Sequence, residues 1–355
     1  MRSFATILLA AAVVALCHVS TSSAVPTNVP SPSTDPTNAL PSAPPSPPSA
    51  RTASGSNAPS ISPSPKSGAS SKSRKSKLIV ESILTRTDSK TYTALVQYND
   101  KAGFLKCTGD KEVFDNERVA LTKIHAGDPS KYGISPRIKE AFVGLTAVLS
   151  PNKGSYCLVL ERLDGWSLEN YAALLGNPEK DAYLPSLFSQ VINGIRYMNH
   201  LGLVHGDIKP ENIMIKGTSF INKPVIVIVD FGMSQVVGES GMGYFYGGTM
   251  GYLAPEDVLD EQTDLYKRDT WMLGATLYAS LAGLPPYNSI GVLESVERQG
   301  KNLFPPIETS KNAQLLALMN KMLVCSPAQR PKLSDLSDPL IEPYEKTISA
   351  ALQQE

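Results

Sequence analysis

The chain has 355 residues with 33 basic and 33 acidic side chains, so its formal charge is zero. That length admits one large domain or two ordinary ones, with ample material for a core. The balance hides an asymmetry that argues against a nucleic-acid-binding fold: residues 1–77 hold seven bases and one acid, Asp35, leaving the remainder at net −6.

Met1 to Phe4 carries one positive charge, Ala5 to Cys17 is apolar, and Ser22-Ser23-Ala24 offers small residues before Val25. This is the layout of a secretory signal peptide over residues 1–24, and the run is too short for an ordinary membrane span; an uncleaved signal anchor is the alternative. No other stretch of about eighteen residues is apolar and uncharged, so no transmembrane span is expected in the mature chain. Residues 25–77 are dominated by Pro, Ser, Ala and Thr, with prolines at 26, 30, 32, 36, 41, 44, 45, 47 and 48. Such a segment cannot bury enough apolar surface to offset its chain entropy, and disorder is expected. Its basic end (Lys66, Lys72, Arg74, Lys75 and Lys77) reads as a solvated linker end; an anionic-surface contact, a processing site or a localisation signal are the alternatives.

Beyond Cys17, the cysteines are Cys107, Cys157 and Cys325, each among apolar residues. An odd, scattered trio is neither a disulfide framework nor zinc spacing, so reduced thiols are expected. The chain also holds no Asn-x-Ser/Thr acceptor. An exported N-terminus ahead of reduced thiols suggests secretion followed by work inside a recipient cell. Residence in the lumen of the secretory pathway is the plainer alternative.

Val204-His205-Gly206-Asp207-Ile208-Lys209-Pro210-Glu211-Asn212-Ile213-Met214-Ile215 feeds an apolar run into a tight loop and back. The loop can aim a carboxylate at a hydroxyl, a cation at a phosphate and an amide oxygen at a metal. Val225 to Val229 reads as a buried strand ending in Asp230-Phe231-Gly232. Two acids and an asparagine at strand or loop ends are what magnesium-assisted phosphoryl transfer requires. Gly248-Thr249-Met250-Gly251-Tyr252-Leu253-Ala254-Pro255-Glu256, Asp269-Thr270-Trp271-Met272-Leu273-Gly274 and Ser326-Pro327-Ala328-Gln329-Arg330-Pro331 extend the pattern. On these motifs residues 78–345 resemble the eukaryotic protein kinase family of Ser/Thr type, ahead of a tail at 346–355. The resemblance implies an α+β, two-lobed fold: a small, mostly β N-lobe and a larger, mostly α C-lobe, here preceded by the Pro/Ser-rich segment. It also implies a monomer that takes ATP, Mg2+ and a protein substrate with a Ser or Thr acceptor.

In chain order, the resemblance assigns Lys106, in Gly103-Phe104-Leu105-Lys106, as the lysine that grips phosphate. Glu117, in the helix Phe114 to Leu121, is its partner, on a helix trimmed at its start. The hinge resembles Leu158 to Gly165, with backbone groups of Glu161 and Leu163 for the adenine edge and Leu160 guarding the pocket. Ser167 caps the helix that follows. Asp207 becomes the base, Lys209 the cation for the γ-phosphate, Asn212 and Asp230 the magnesium ligands, and His205 a structural support. Glu256 is expected to pair with buried Arg330, and Asp269 to brace the catalytic loop.

Two departures stand out. The family's glycine-rich loop falls at Thr85-Arg86-Thr87-Asp88-Ser89-Lys90-Thr91-Tyr92, which has no glycine, so hydroxyls or Lys90 would have to reach ATP, or nothing would. Gly206 stands where the family has an arginine that pairs with a phosphorylated activation loop, which implies activity independent of such phosphorylation. A binding scaffold without turnover and a small-molecule kinase are the alternative readings.

Overall fold

The computed structural model describes residues 76–352, apart from 153, 217–223, 239, 245–246 and 260. The leader and the Pro/Ser-rich segment, up to residue 75, lie outside the described residues. The chain opens with β1 (Leu78–Arg86), β2 (Tyr92–Tyr98) and β3 (Lys101–Thr108), then α1 (Lys111–Ala126), β4 (Leu145–Asn152) and β5 (Ser155–Glu161). The five strands form one antiparallel sheet in the order β1-β2-β3-β5-β4. Strand alternation sorts its side chains. Ala94, Val96, Leu105, Cys107, Cys157 and Val159 make a buried cluster on one face, whereas Phe104, Leu158 and Leu160 join the main core on the other.

β3 and β5 bring Cys107 directly opposite Cys157, and the two sulfurs are joined as a disulfide. This overturns the expectation of reduced thiols at these positions; Cys325 remains a free thiol. The pairing partners are 50 residues apart, so only sheet register brings them together. Closing a loop of that length stabilises the folded chain by about 4 kcal/mol on the chain-entropy model. Replacing both cysteines by alanine should lower stability by about 2–4 kcal/mol in urea titrations. An unchanged midpoint would show that the bond is not formed.

α1 starts three residues after β3, as the short interval between Lys106 and Glu117 requires. Asp110 caps it by accepting from the amides of Glu112 and Val113 at 2.8 and 3.2 Å. Its buried stripe, Phe114, Glu117, Ala120, Leu121 and Ile124, has helical spacing, and Glu117 is the one charge in it.

The second lobe contains β6 (Gly165–Ser167), α2 (Leu168–Leu174), α3 (Asn177–His200), β7 (Leu203–Val204), β8 (Ile213–Lys216) and β9 (Val225–Ile228). Ser167 caps α2 through the amide of Asn170. Two-residue strands follow, β10 (Gln235–Val236), β11 (Met242–Gly243) and β12 (Thr263–Asp264), then α4 (Leu265–Ala282), α5 (Ile290–Gln299), α6 (Ala313–Met322) and α7 (Tyr344–Leu352). α4 is buried on all sides from Leu265 to Leu281, with the exception of Lys267, and is the axis of this lobe. At Gly274 an added Cβ would lie 2.9 Å from Leu323 Cγ and Met322 Cβ, so the close crossing of α4 and α6 needs a glycine. β6-β8-β9 form a small sheet whose strand ends carry the His205–Asn212 loop and Asp230. None of the described helices is long and apolar enough to cross a membrane.

Candidate active site

Lys106 and Phe104, two residues apart on β3, share the sheet face turned toward α1 and the second lobe. Lys106 Nζ lies 2.8 Å from Glu117 Oε2 and 2.8 Å from Asp230 Oδ1. Glu117 also accepts from the amide of Phe231 at 3.4 Å, so one buried carboxylate ties the helix to both β3 and the Asp-Phe-Gly turn. Burial alone would lower the Lys106 pKa, but Asp230 and Glu117 outweigh it and hold the ammonium charged. Asp230 shows the converse. Burial would raise its pKa, yet Lys106 brings it down to about 2. Its ionised state therefore favours the fold fully above the ordinary carboxylate value of 3.8, and that contribution is lost only as pH falls through about 2. Burial pushes Glu117 upward against the pull of Lys106.

Asp230 adopts a left-handed backbone conformation at φ 61°, uncommon for a non-glycine residue and shared with Asn99 and Asp100 in the β2–β3 turn. Phe231 is fully buried, with its ring 5.0 Å from that of His205 and 6.2 Å from that of Phe142. The Asp230 side chain keeps about two-fifths of its surface open, 41%, and so remains available to a ligand.

The loop from His205 to Asn212 is held from below by α4. Asp269 accepts from the amides of His205 at 2.7 Å and Gly206 at 3.0 Å, and Thr276 Oγ1 donates to the Ile208 carbonyl at 3.1 Å. His205 lies 3.2 Å through Nε2 from the Val229 carbonyl, beside Asp230. Asp207 Oδ2 lies 2.9 Å from Lys209 Nζ and accepts from Asn212 Nδ2 at 3.1 Å, while Oδ1 accepts from Thr249 Oγ1 at 2.7 Å. Lys209 donates in turn to Thr249 Oγ1 at 2.7 Å. Asn212 Nδ2 also bonds the Asp207 carbonyl at 2.8 Å, which leaves its amide oxygen for another partner. Among the described residues no cluster of three or more His, Cys, Asp or Glu could hold a metal. One open carboxylate and one amide oxygen nevertheless fit magnesium, which takes few protein oxygens and completes its shell with phosphates and water.

The sequence-derived residues thus fall into two connected groups, Lys106–Glu117–Asp230 and Asp207–Lys209–Asn212. Glu161 and Leu163 lie apart from both, at the end of β5 and just beyond it. The Glu161 amide donates to the Gly144 carbonyl at 2.7 Å. No described hydrogen bond engages the backbone of Leu163.

The glycine-free loop between β1 and β2 closes on Asp88. The Asp88 carboxylate accepts from the amides of Lys90 and Thr91 at 2.6 and 2.7 Å. Lys90 lies along Gly109, with its Nζ beside Gly154, and Thr91 Oγ1 accepts from the Gly109 amide. The Thr91 hydroxyl is therefore engaged within the first lobe. Phe104 was not singled out from the sequence; it stands opposite Leu160 in the sheet and packs against the main core.

Glu256 pairs with Arg330 through two short bonds, 2.6 Å to Nη1 and 2.8 Å to Nη2, with both side chains buried. The guanidinium carbon lies 5.0 Å over the Trp271 ring. A second buried pair, Arg268 with Asp257 at 2.7 Å, was not foreseen.

A comparison with known families finds the protein kinase domain over residues 138–339, more than half of the chain. Similar proteins include "Probable serine/threonine-protein kinase KCC4" of Saccharomyces cerevisiae, 34% identical over 210 residues, 57% of this chain and 19% of the relative. "Serine/threonine-protein kinase cds1" of Schizosaccharomyces pombe is 30% identical over 209 residues, 56% of this chain and 43% of the relative. "Testis-specific serine/threonine-protein kinase 3" of Homo sapiens is 27% identical over 192 residues, 54% of this chain and 69% of the relative. The match thus spans about a fifth of the yeast protein and less than half of the fission-yeast one. The lobes, the paired lysine and the braced catalytic loop agree with that match: the chain belongs to the protein kinase domain family.

Proposed function

We propose that the protein transfers the γ-phosphoryl group of ATP to Ser or Thr hydroxyls of protein substrates, with Asp207 as base. The observation that carries this is the intact contact set around Asp207, in which Lys209, Asn212 and Thr249 all engage its carboxylate or its carbonyl. Asn212 and Thr249 fix the carboxylate so that an incoming hydroxyl meets an oriented acceptor for its proton. Lys209 places a cation beside it for charge developing on the transferred group. Across the cleft Lys106, kept charged and immobile by Glu117 and Asp230, grips the remaining phosphates. Asp230 and Asn212 would hold magnesium, which when bound neutralises phosphate oxygens. The backbone of Glu161 and Leu163 is assigned to the adenine edge.

A second reading, a binding scaffold without turnover, draws support from the β1–β2 loop, whose Lys90 and Thr91 amides are already satisfied by Asp88. The two are separated by incubating the full chain with ATP, magnesium and a peptide library containing Ser, Thr and Tyr. Phosphoserine and phosphothreonine are the expected products. ATP binding without transfer favours the scaffold, and phosphotyrosine alone refutes the acceptor assignment.

For location we propose export, supported by the apolar run Ala5 to Cys17 and by the Cys107–Cys157 bond, which suits an oxidising compartment. The same bond removes the thiol argument for work in a recipient cytosol. Retention of the chain in the producing cell's cytosol with reduced Cys107 would defeat this proposal.

A further inference from the structure

Gly206 leaves the catalytic loop without an arginine, yet a guanidinium is present at this place from another direction. Arg268, on the first turn of α4, is 1% exposed. Its Nη1 donates to the Gly206 carbonyl at 3.1 Å, its Nη2 to the Gly247 carbonyl at 3.0 Å, and its Nε to Asp257 Oδ1 at 2.7 Å. Asp257 also accepts from the Ala254 amide at 2.8 Å, which places its carboxylate within the Ala-Pro-Glu segment. One buried side chain therefore joins the catalytic loop, the activation segment and the residues that follow it.

Burying a guanidinium at the positive end of a helix dipole is unfavourable, so three oriented acceptors are needed to hold it there. The surroundings are shaped to admit it. Gly206 has φ 80° and Gly248 has φ 100°, both in the left-handed region. A Cβ at Gly248 would lie 3.1 Å from Arg268 Nη2 and 2.8 Å from Leu253 Cδ2. The two carbonyls that Arg268 binds also flank the reacting centre. Gly206 directly precedes Asp207, and Gly247 lies two residues before Thr249, whose hydroxyl donates to Asp207. Asp269 holds the Gly206 amide from the same helix turn, so the peptides around Gly206 are pinned at N–H and C=O alike.

We propose that Arg268 is a positioning residue that locks the catalytic loop and the activation segment in their working arrangement by a built-in contact, so that no activating phosphate is required. This rests on the phosphoryl-transfer reading given above. Arg268 touches neither nucleotide nor acceptor; it acts by fixing where Asp207 and Thr249 meet. Its loss should therefore appear in kcat and leave the KM for ATP unchanged, because Lys106, Glu117 and Asp230 do not depend on it.

The test compares the full chain, before and after phosphatase treatment, with Arg268→Lys and Asp257→Asn. Wild-type turnover should survive phosphatase. Arg268→Lys, which cannot reach three acceptors at once, should lose about 10²-fold in kcat, the scale expected of small displacements at a reacting centre. Amides from Gly247 to Leu253 should exchange hydrogen faster in that variant. Asp257→Asn keeps the shape and weakens the charge pairing, so it should lower kcat less, with a melting temperature lowered but a folded domain retained. If Arg268→Lys does not fold, Asp257→Asn carries the test alone, and wild-type kcat in it overturns the proposal. Wild-type kcat in Arg268→Lys, loss of wild-type turnover on phosphatase treatment, or unaltered exchange at 247–253 would each do the same. A wild type without turnover whose exchange still rises in Arg268→Lys would retain the lock and refute the enzyme reading.

Discussion

Asp207→Asn should lower phosphoryl transfer by about 10²–10⁴-fold per folded molecule, the range for loss of a positioned general base. Asparagine keeps the shape of the side chain, and Asn212 still reaches the residue-207 carbonyl, so the loop should hold its path. What disappears is the ability to accept a proton, together with the charge facing Lys209 at 2.9 Å. Lys209 retains the Thr249 hydroxyl as a partner, which limits the structural cost. Turnover should be normalised to the folded fraction, measured by thermal melting. Near-wild-type turnover in a folded variant would remove Asp207 from the role of base.

Glu256→Ala should have the largest effect on stability, about 3–5 kcal/mol, because it leaves one buried charge without its partner. Arg330 would keep the carbonyls of Val324, Lys267 and Cys325, but these are dipoles and cannot replace a carboxylate that meets both terminal nitrogens. A typical domain has about 5–15 kcal/mol of stability in total, so much of it would be lost. Urea midpoints for wild type, Glu256→Ala and Glu256→Gln read this directly. The glutamine variant should fall between the other two, since it keeps one acceptor. A shift below about 1 kcal/mol in Glu256→Ala would place the pair with exposed ion pairs of little consequence.

The catalytic loop, the Asp-Phe-Gly turn and the Ala-Pro-Glu segment were legible in the sequence because their chemistry is local. A few residues at fixed spacing carry most of the constraint. Lys106 with Glu117 was legible too, since β3 and α1 are separated by a short turn. The remainder depended on tertiary register. Cys107 and Cys157 are unremarkable apolar neighbours until β3 and β5 align them, and so an odd cysteine count pointed the wrong way. Arg268 reads as an ordinary helix charge beside Asp269. Its oxygen acceptors lie 62, 21 and 11 residues distant, and no pattern along the chain links them. The missing glycines were visible at once, but the turn that replaces them was not, because it depends on Asp88 folding back onto two amides.

The most direct test of the central claim is magnesium-dependent transfer of phosphate from ATP to a protein acceptor, with wild type and Asp207→Asn side by side. Transfer by the wild type that requires magnesium and collapses in the folded variant is the predicted result. Equal transfer by both proteins, or none from a folded, ATP-bound wild type, would contradict the assignment of this site to phosphoryl transfer.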